Sequence, residues 1–167
     1  MTLTAILLIA HGSRHEPANV DLRSMAVDLA ARGDYPIVEP AFLELAEPDI
    51  PAGGSACVAR GAGRVLMVPY FLSAGVHLVR DLTAARDALI GRHPGVEFVL
   101  GPPLGPHPLL QILVLERVRE LETHGPPVDL ASAAEMAARY VPIGEHAQGT
   151  SVSAEQAVGI DEERVKG

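Results

Sequence analysis

Between residues 1 and 100 the chain carries short, uninterrupted apolar runs, and these restrict its fold more than any other feature. Residues 5–10 read Ala-Ile-Leu-Leu-Ile-Ala and residues 65–68 read Val-Leu-Met-Val. Runs of this length, without the alternation of a half-solvated strand, suit strands buried on both faces, which is the environment of a parallel sheet covered by helices. Ile37 to Leu45 and Val96 to Leu100 read as two further strands. Between the strands the period changes. Leu22, Met25, Ala26, Leu29 and Ala30 recur at helical spacing, with Gly33 at a C-cap position. Pro48 to Gly61 reads as a second helix, weakened by Gly53 and Gly54 by about 1 kcal/mol each relative to alanine. Leu78, Leu82, Ala85 and Leu89 mark a third helix, ended by His93-Pro94-Gly95, and Leu109 to Leu121 a fourth, strongly apolar on one side. Strands alternating with helices at this spacing imply right-handed βαβ units, and the fold class is α/β. No internal repeat is visible.

The α/β pattern covers residues 1–122. After Gly125-Pro126-Pro127 the character changes. Ser132-Ala-Ala-Glu135 resembles a capping box opening a short helix over 132–140, and 145–167 reads as a solvated, disordered tail whose single histidine is His146. The net charge of −8 argues against nucleic acid as a partner. Residues 1–122 hold 14 acidic residues against 10 arginines, and 123–167 hold 7 against 3 basic residues, so about half of the net charge belongs to the last quarter. Lys166 is the only lysine, which removes the P-loop and any Schiff-base lysine in the α/β segment. With Cys57 as the single cysteine, an internal disulfide is impossible and a cytoplasmic home is the default. No apolar stretch reaches membrane-spanning length, and the N-terminus reads as a first strand rather than a signal peptide.

In doubly wound sheets, ligands bind beyond the carboxyl ends of the strands, so the polar residues there are the candidates. His11-Gly12-Ser13-Arg14 follows the first strand, Phe42-Leu43-Glu44 closes the second, residues 69–77 with Tyr70, Phe71, Ser73 and His77 follow the third, and residues 101–108 with His107 follow the fourth. Neutral imidazole is a good ligand for Fe, Co, Ni and Zn, although a histidine at a strand end is also commonly a hydrogen-bonded structural residue. Glu44 follows two large apolar residues. Partial desolvation would raise its pKa toward an acid–base range, and the competing reading is a surface glutamate or a partner for the next helix N-terminus. Tyr70 and Phe71 face either a flat ligand or the core, and Cys57 reads as a buried small apolar residue. His15, His93 and His124 receive no role.

Four segments together resemble the class II chelatases of the CbiX/SirB type. These are Leu8-Ile-Ala-His-Gly-Ser-Arg14, Val38-Glu-Pro-Ala-Phe-Leu-Glu-Leu-Ala-Glu-Pro48, Arg64 to Asp81 with its Pro-Tyr-Phe-Leu-Ser-Ala-Gly-Val-His core, and Pro103-Leu-Gly-Pro-His-Pro-Leu109, in order across residues 3–117. Gly53-Gly54-Ser55 departs from the family, which has better helix formers there. The resemblance implies a flavodoxin-like parallel sheet of order 2-1-3-4 with helices on both faces. It implies insertion of a divalent ion (Co²⁺, Fe²⁺ or Ni²⁺) into sirohydrochlorin or a related tetrapyrrole, the ion being a substrate and no organic cofactor being needed. It maps the family's metal-site histidines onto His11 and His77 and its glutamate onto Glu44, with Arg14, Ser13, Ser73 and Arg80 as candidates to hold the carboxylate-rich macrocycle. Because the four segments occur once, whereas larger relatives carry two such domains in one chain, it also implies a homodimer. The competing classes are a non-catalytic tetrapyrrole- or metal-binding module; a histidine phosphatase, which expects arginine where Ala10 stands; and a dinucleotide-binding protein, for which GxGxxG is missing.

Overall fold

A computed structural model describes residues 2–125. By compactness the chain divides into one unit of Met1–Leu115 and a second of Glu116–Gly167. The elements run β1 (Leu3–Ala10), α1 (Glu16–Ala31), β2 (Ile37–Phe42), α2 (Ile50–Ala59), β3 (Ala62–Pro69), α3 (Val76–Arg92), β4 (Glu97–Leu100) and α4 (Pro108–His124). The region 132–140 and the tail lie outside the described residues.

The four strands form one parallel sheet of order β2-β1-β3-β4. β1 is central, pairing Ala10 with Phe42 on one side and Ile9 with Pro69 on the other. Its apolar run divides between two layers. Ala5, Leu7 and Ile9 join Val65, Met67, Phe98 and the buried faces of α2 and α3, while Leu8 joins Val38, Phe42 and the α1 residues Leu22 and Ala26. Burial on both sides explains why the run does not alternate.

The paired glycines of α2 are packing residues. A Cβ on Gly53 would lie 2.9 Å from both the Ala41 Cβ and a Leu7 methyl, and one on Gly54 would lie 2.7 Å from the Leu89 methyls. The helix therefore sits closer to the sheet and to α3 than alanine would allow, and this contact offsets the lower helix propensity expected of Gly53 and Gly54. Asp49 caps α2, its carboxylate accepting from the Ala52 N–H at 2.7 Å.

Two expectations are corrected. β2 stops at Phe42 rather than Leu45, because the chain turns: Leu45 has φ 64° and Phe42 takes an isolated bridge to Asp49. α4 has no buried residue, so the strongly apolar side expected of it is not taken up by the core. Leu109, Ile112 and Val114 are more than half exposed. No helix among the described residues is long and apolar enough to cross a membrane.

Candidate metal-handling site at the carboxyl edge of the sheet

β1 and β2 deliver His11 and Glu44 to neighbouring loops, and backbone bonds hold the two loops together. The Leu43 N–H donates to the Ala10 carbonyl at 2.9 Å and the Glu44 N–H to the His11 carbonyl at 3.0 Å, continuing the pairing of the strands past their ends. Gly12 makes this approach possible. Its φ is 91°, and an added Cβ would lie 1.9 Å from the Glu44 carbonyl oxygen. Only glycine meets both demands. The outcome is a direct side-chain contact, His11 Nε2 to Glu44 Oε1 at 2.9 Å, with both side chains 57% exposed. The expected desolvation of Glu44 is therefore not met: its carboxylate is open to water and finds its partner in an imidazole.

The other half of the edge is clamped in a similar way. The Gly105 N–H donates to the Phe71 carbonyl at 3.3 Å, and a Cβ on Gly105 would lie 2.2 Å from the Leu72 carbonyl oxygen. The loops after β3 and β4 thus form a second pair, joined to the first where the Tyr70 N–H donates to the Ile9 carbonyl at 2.7 Å. The order 2-1-3-4 reverses direction between β1 and β3, and the crevice of an open parallel sheet lies at such a point.

His77 stands in the first turn of α3, exposed, and Arg80 stands one turn on, exposed, with Asp81 as its ion-pair partner at 3.6 Å. Among the described residues no three His, Cys, Asp or Glu side chains converge on one point, so His77 does not join His11 and Glu44 in a preformed three-ligand cluster. Arg14 and Ser73 are exposed loop residues. The Ser13 hydroxyl accepts from the His15 N–H at 3.0 Å, which leaves its own hydrogen free to donate. Tyr70 is partly exposed, whereas Phe71 packs against the main core. The His107 Nδ1 accepts from the Leu109 N–H at 3.2 Å and so caps the start of α4.

Sequence reasoning missed two groups. Asn19 is 2% exposed, and it clamps Ser13 from the first turn of α1. His93, given no role, bonds Ser55 Oγ at 2.9 Å and lies against the Phe98 ring. Cys57 is fully buried as expected, and burial, aided by the Glu39 carboxylate, pushes its thiol up to about 12.

An open parallel sheet of this order, with a histidine–carboxylate pair at its carboxyl edge, defines a doubly wound α/β protein whose site is built from loops. A family model described as CbiX matches residues 5–121, and the chain belongs to the CbiX family. Among curated relatives, the chloroplastic sirohydrochlorin ferrochelatase of Arabidopsis thaliana is 37% identical over 119 residues, 71% of this chain and 53% of that protein. The sirohydrochlorin cobaltochelatase of Priestia megaterium is 34% identical over 117 residues, 70% and 38% respectively. Of solved structures, the sirohydrochlorin chelatase SirB of Bacillus subtilis subspecies spizizenii in complex with cobalt superposes with TM-score 0.67 at 30% identity, covering 72% of this chain and 51% of that one. A CbiX protein from Marinobacter aquaeolei VT8 gives 0.61 at 30%, covering 70% and 95%. The chain thus spans about half or less of the length of these curated relatives.

Proposed function

We propose that this protein inserts a divalent metal ion, Co²⁺, Fe²⁺ or Ni²⁺, into sirohydrochlorin or a related tetrapyrrole, releasing two protons, in the cytoplasm. The observation that carries the reading is the exposed His11–Glu44 pair, held by backbone bonds between two loops. Its spacing suits a transferable ion. Two donors on bonds of about 2.1 Å lie about 3.0 Å apart at a right angle and about 3.4 Å apart at the tetrahedral angle. The two atoms meet at 2.9 Å across a hydrogen bond, so an ion would displace the shared proton, and small rotations of the two exposed side chains would open them to such a spacing. Two protein ligands, or three once His77 of α3 joins them on the ion, leave at least half of an octahedral coordination sphere to water, whereas a closed four-ligand cage would retain the metal.

As pyrrole nitrogens replace water and protein ligands, their two protons need acceptors. The ion's departure frees the His11 Nε2 and the Glu44 carboxylate, and between them they accept one proton and restore the hydrogen bond seen at 2.9 Å. The second proton passes to solvent. Arg14, Arg80, Ser13 and Ser73 surround the edge as donors to the macrocycle's carboxylates. The test is anaerobic mixing of protein, sirohydrochlorin and each metal, followed by absorbance against a no-protein control. Ion binding without any accelerated spectral change would identify a binding module instead.

The working unit in this reading is a homodimer, since one sheet edge offers one wall to a macrocycle with two faces. The support is α4. Residues 109–115 are apolar except for Gln111, so this segment is apolar around its whole circumference and is suited to lie between two layers. On the α1 side of the sheet, Leu66 and Val99 pair in register, are partly exposed, and belong to neither apolar cluster. Light scattering over a dilution series, paired with the insertion assay, tests this. A monomer with full specific activity would refute it.

A further inference from the structure

Asn19 is the only buried polar or charged side chain among the described residues, and all of its amide hydrogen-bonding groups point toward the candidate site or its supports. Its Oδ1 accepts from the Ser13 N–H at 2.9 Å, while its Nδ2 donates to the Ser13 carbonyl at 2.8 Å and to Glu16 Oε2 at 3.0 Å. The remaining Glu16 oxygen pairs with Arg23. Arg23 in turn donates to the Glu47 carbonyl at 2.9 Å and lies over the Phe42 ring, 5.3 Å from its centroid. A continuous polar chain, Ser13–Asn19–Glu16–Arg23–Glu47, therefore ties the loop that carries His11 to the loop that carries Glu44. It involves neither member of the pair.

A helix-borne amide is well suited to this. An amide offers an acceptor and two donors from one planar group, so a single side chain fixes both the N–H and the C=O of Ser13, two residues after His11. Burial removes competing water, and it makes the loss of any one partner costly. Hydrogen bonds from Asn19 and Arg23 also hold the Glu16 carboxyl below its ordinary range.

We infer that Asn19 is a positioning residue that sets His11 opposite Glu44 for the ion, acting through the Ser13 backbone, with Glu16 and Arg23 extending the same restraint to the Glu44 loop. The inference rests on the reading of His11 and Glu44 as the ion-handling pair. Outer partners of metal ligands, when removed, typically cost 10- to 100-fold in ion affinity.

The test is a Co²⁺ titration followed by visible absorption on the full chain as wild type, Asn19→Ala, Glu16→Ala, His11→Ala and Leu89→Val. The last is a core change on the other face of the sheet that matches a stability loss without touching either loop. Each variant is also melted, and its affinity for metal-free sirohydrochlorin is measured. Asn19→Ala is expected to weaken Co²⁺ binding about tenfold, and Glu16→Ala, whose side chain is exposed and tolerates removal, about threefold, with a smaller change in sirohydrochlorin affinity, to which Ser13 is one donor among several. Leu89→Val is expected to bind Co²⁺ as wild type. Folded Asn19→Ala or Glu16→Ala with wild-type Co²⁺ affinity, beside a His11→Ala that has lost it, overturns the positioning role alone. The same role falls if Leu89→Val weakens binding as much. Should Asn19→Ala fail to fold, the Glu16→Ala titration decides. Wild-type affinity in His11→Ala overturns the ion site itself, and this inference with it.

Discussion

Replacing Gly12 with alanine tests whether the apposition of two loops, rather than residue identity alone, makes the site. The substitution acts twice. A φ of 91° costs a residue with a side chain about 1–2 kcal/mol. The new Cβ would also stand 1.9 Å from the Glu44 carbonyl oxygen, inside the 3.0 Å that Cβ contacts respect, so the loops must part by about 1 Å. Parting them breaks the bond from the Glu44 N–H to the His11 carbonyl, a further loss of about 1 kcal/mol. The sum is about 2–3 kcal/mol, or a Tm lowered by about 4–12 °C for a chain of this size. Because the displaced atoms belong to the His11–Glu44 pair, a shift of about 1 Å should slow insertion by about 100-fold. Gly33→Ala is the matched control. Its φ is 87° but nothing lies within 4 Å of the added Cβ, so it bears the backbone cost without the collision. It should lose about 1–2 kcal/mol and keep its rate. Thermal melts and single-turnover absorbance on both variants provide the comparison. If Gly12→Ala stays as active as Gly33→Ala, the close approach has no part in the chemistry.

Four other perturbations have expected outcomes. Glu44→Gln keeps the shape but cannot take a proton, and should lower the insertion rate more than sirohydrochlorin affinity, while His77→Ala should remove most insertion without unfolding; unchanged rates would make both residues structural. Cys57, its thiol pushed up to about 12, should resist thiol reagents in the native protein and react on unfolding. Because that folded value is raised, its stabilising contribution is complete below the unfolded thiol's range, near pH 9, and is lost as pH rises from there toward 12, which urea melts across that window would reveal. Ending the chain after Leu130 should leave fold and insertion intact, since the proposed functional domain is residues 1–122, and a folded but inactive truncation would place a working part beyond it.

Much of the scaffold was legible because its signals are local. The unbroken run of β1 announces burial on both faces, and Gly33 and Gly95 mark helix ends with the positive φ they adopt. Residues at strand ends gave His11 and Glu44 as candidates, but their contact depends on Gly12 lying over a carbonyl that is 32 residues away along the chain. No periodicity carries that information. Asn19 was silent because a polar residue in the first turn of an amphipathic helix reads as solvent-facing, and only the fold of the Ser13 loop over it excludes water. Gly53 and Gly54 read as weaknesses because propensity counts the helix alone, while their benefit lies in Leu7, Ala41 and Leu89. The apolar side of α4 fits the core or a partner surface equally well, because composition records the need for such a surface without saying where it is.

The paired loop clamps also limit how the site can be altered. Gly12 against the Glu44 carbonyl and Gly105 against the Leu72 carbonyl make each half of the edge a stiff jaw, and the junction between the jaws is the seam of β1 and β3. Lengthening the loop after β1 or β2 would break a jaw, so indels there should be lethal to the site unless both loops change together. Ser73 and Ala74, ahead of α3, take part in neither clamp. Ser73 and Ala74 are therefore the positions at which libraries of inserted or exchanged residues could reshape the mouth for bulkier macrocycles while the His11–Glu44 spacing stays fixed.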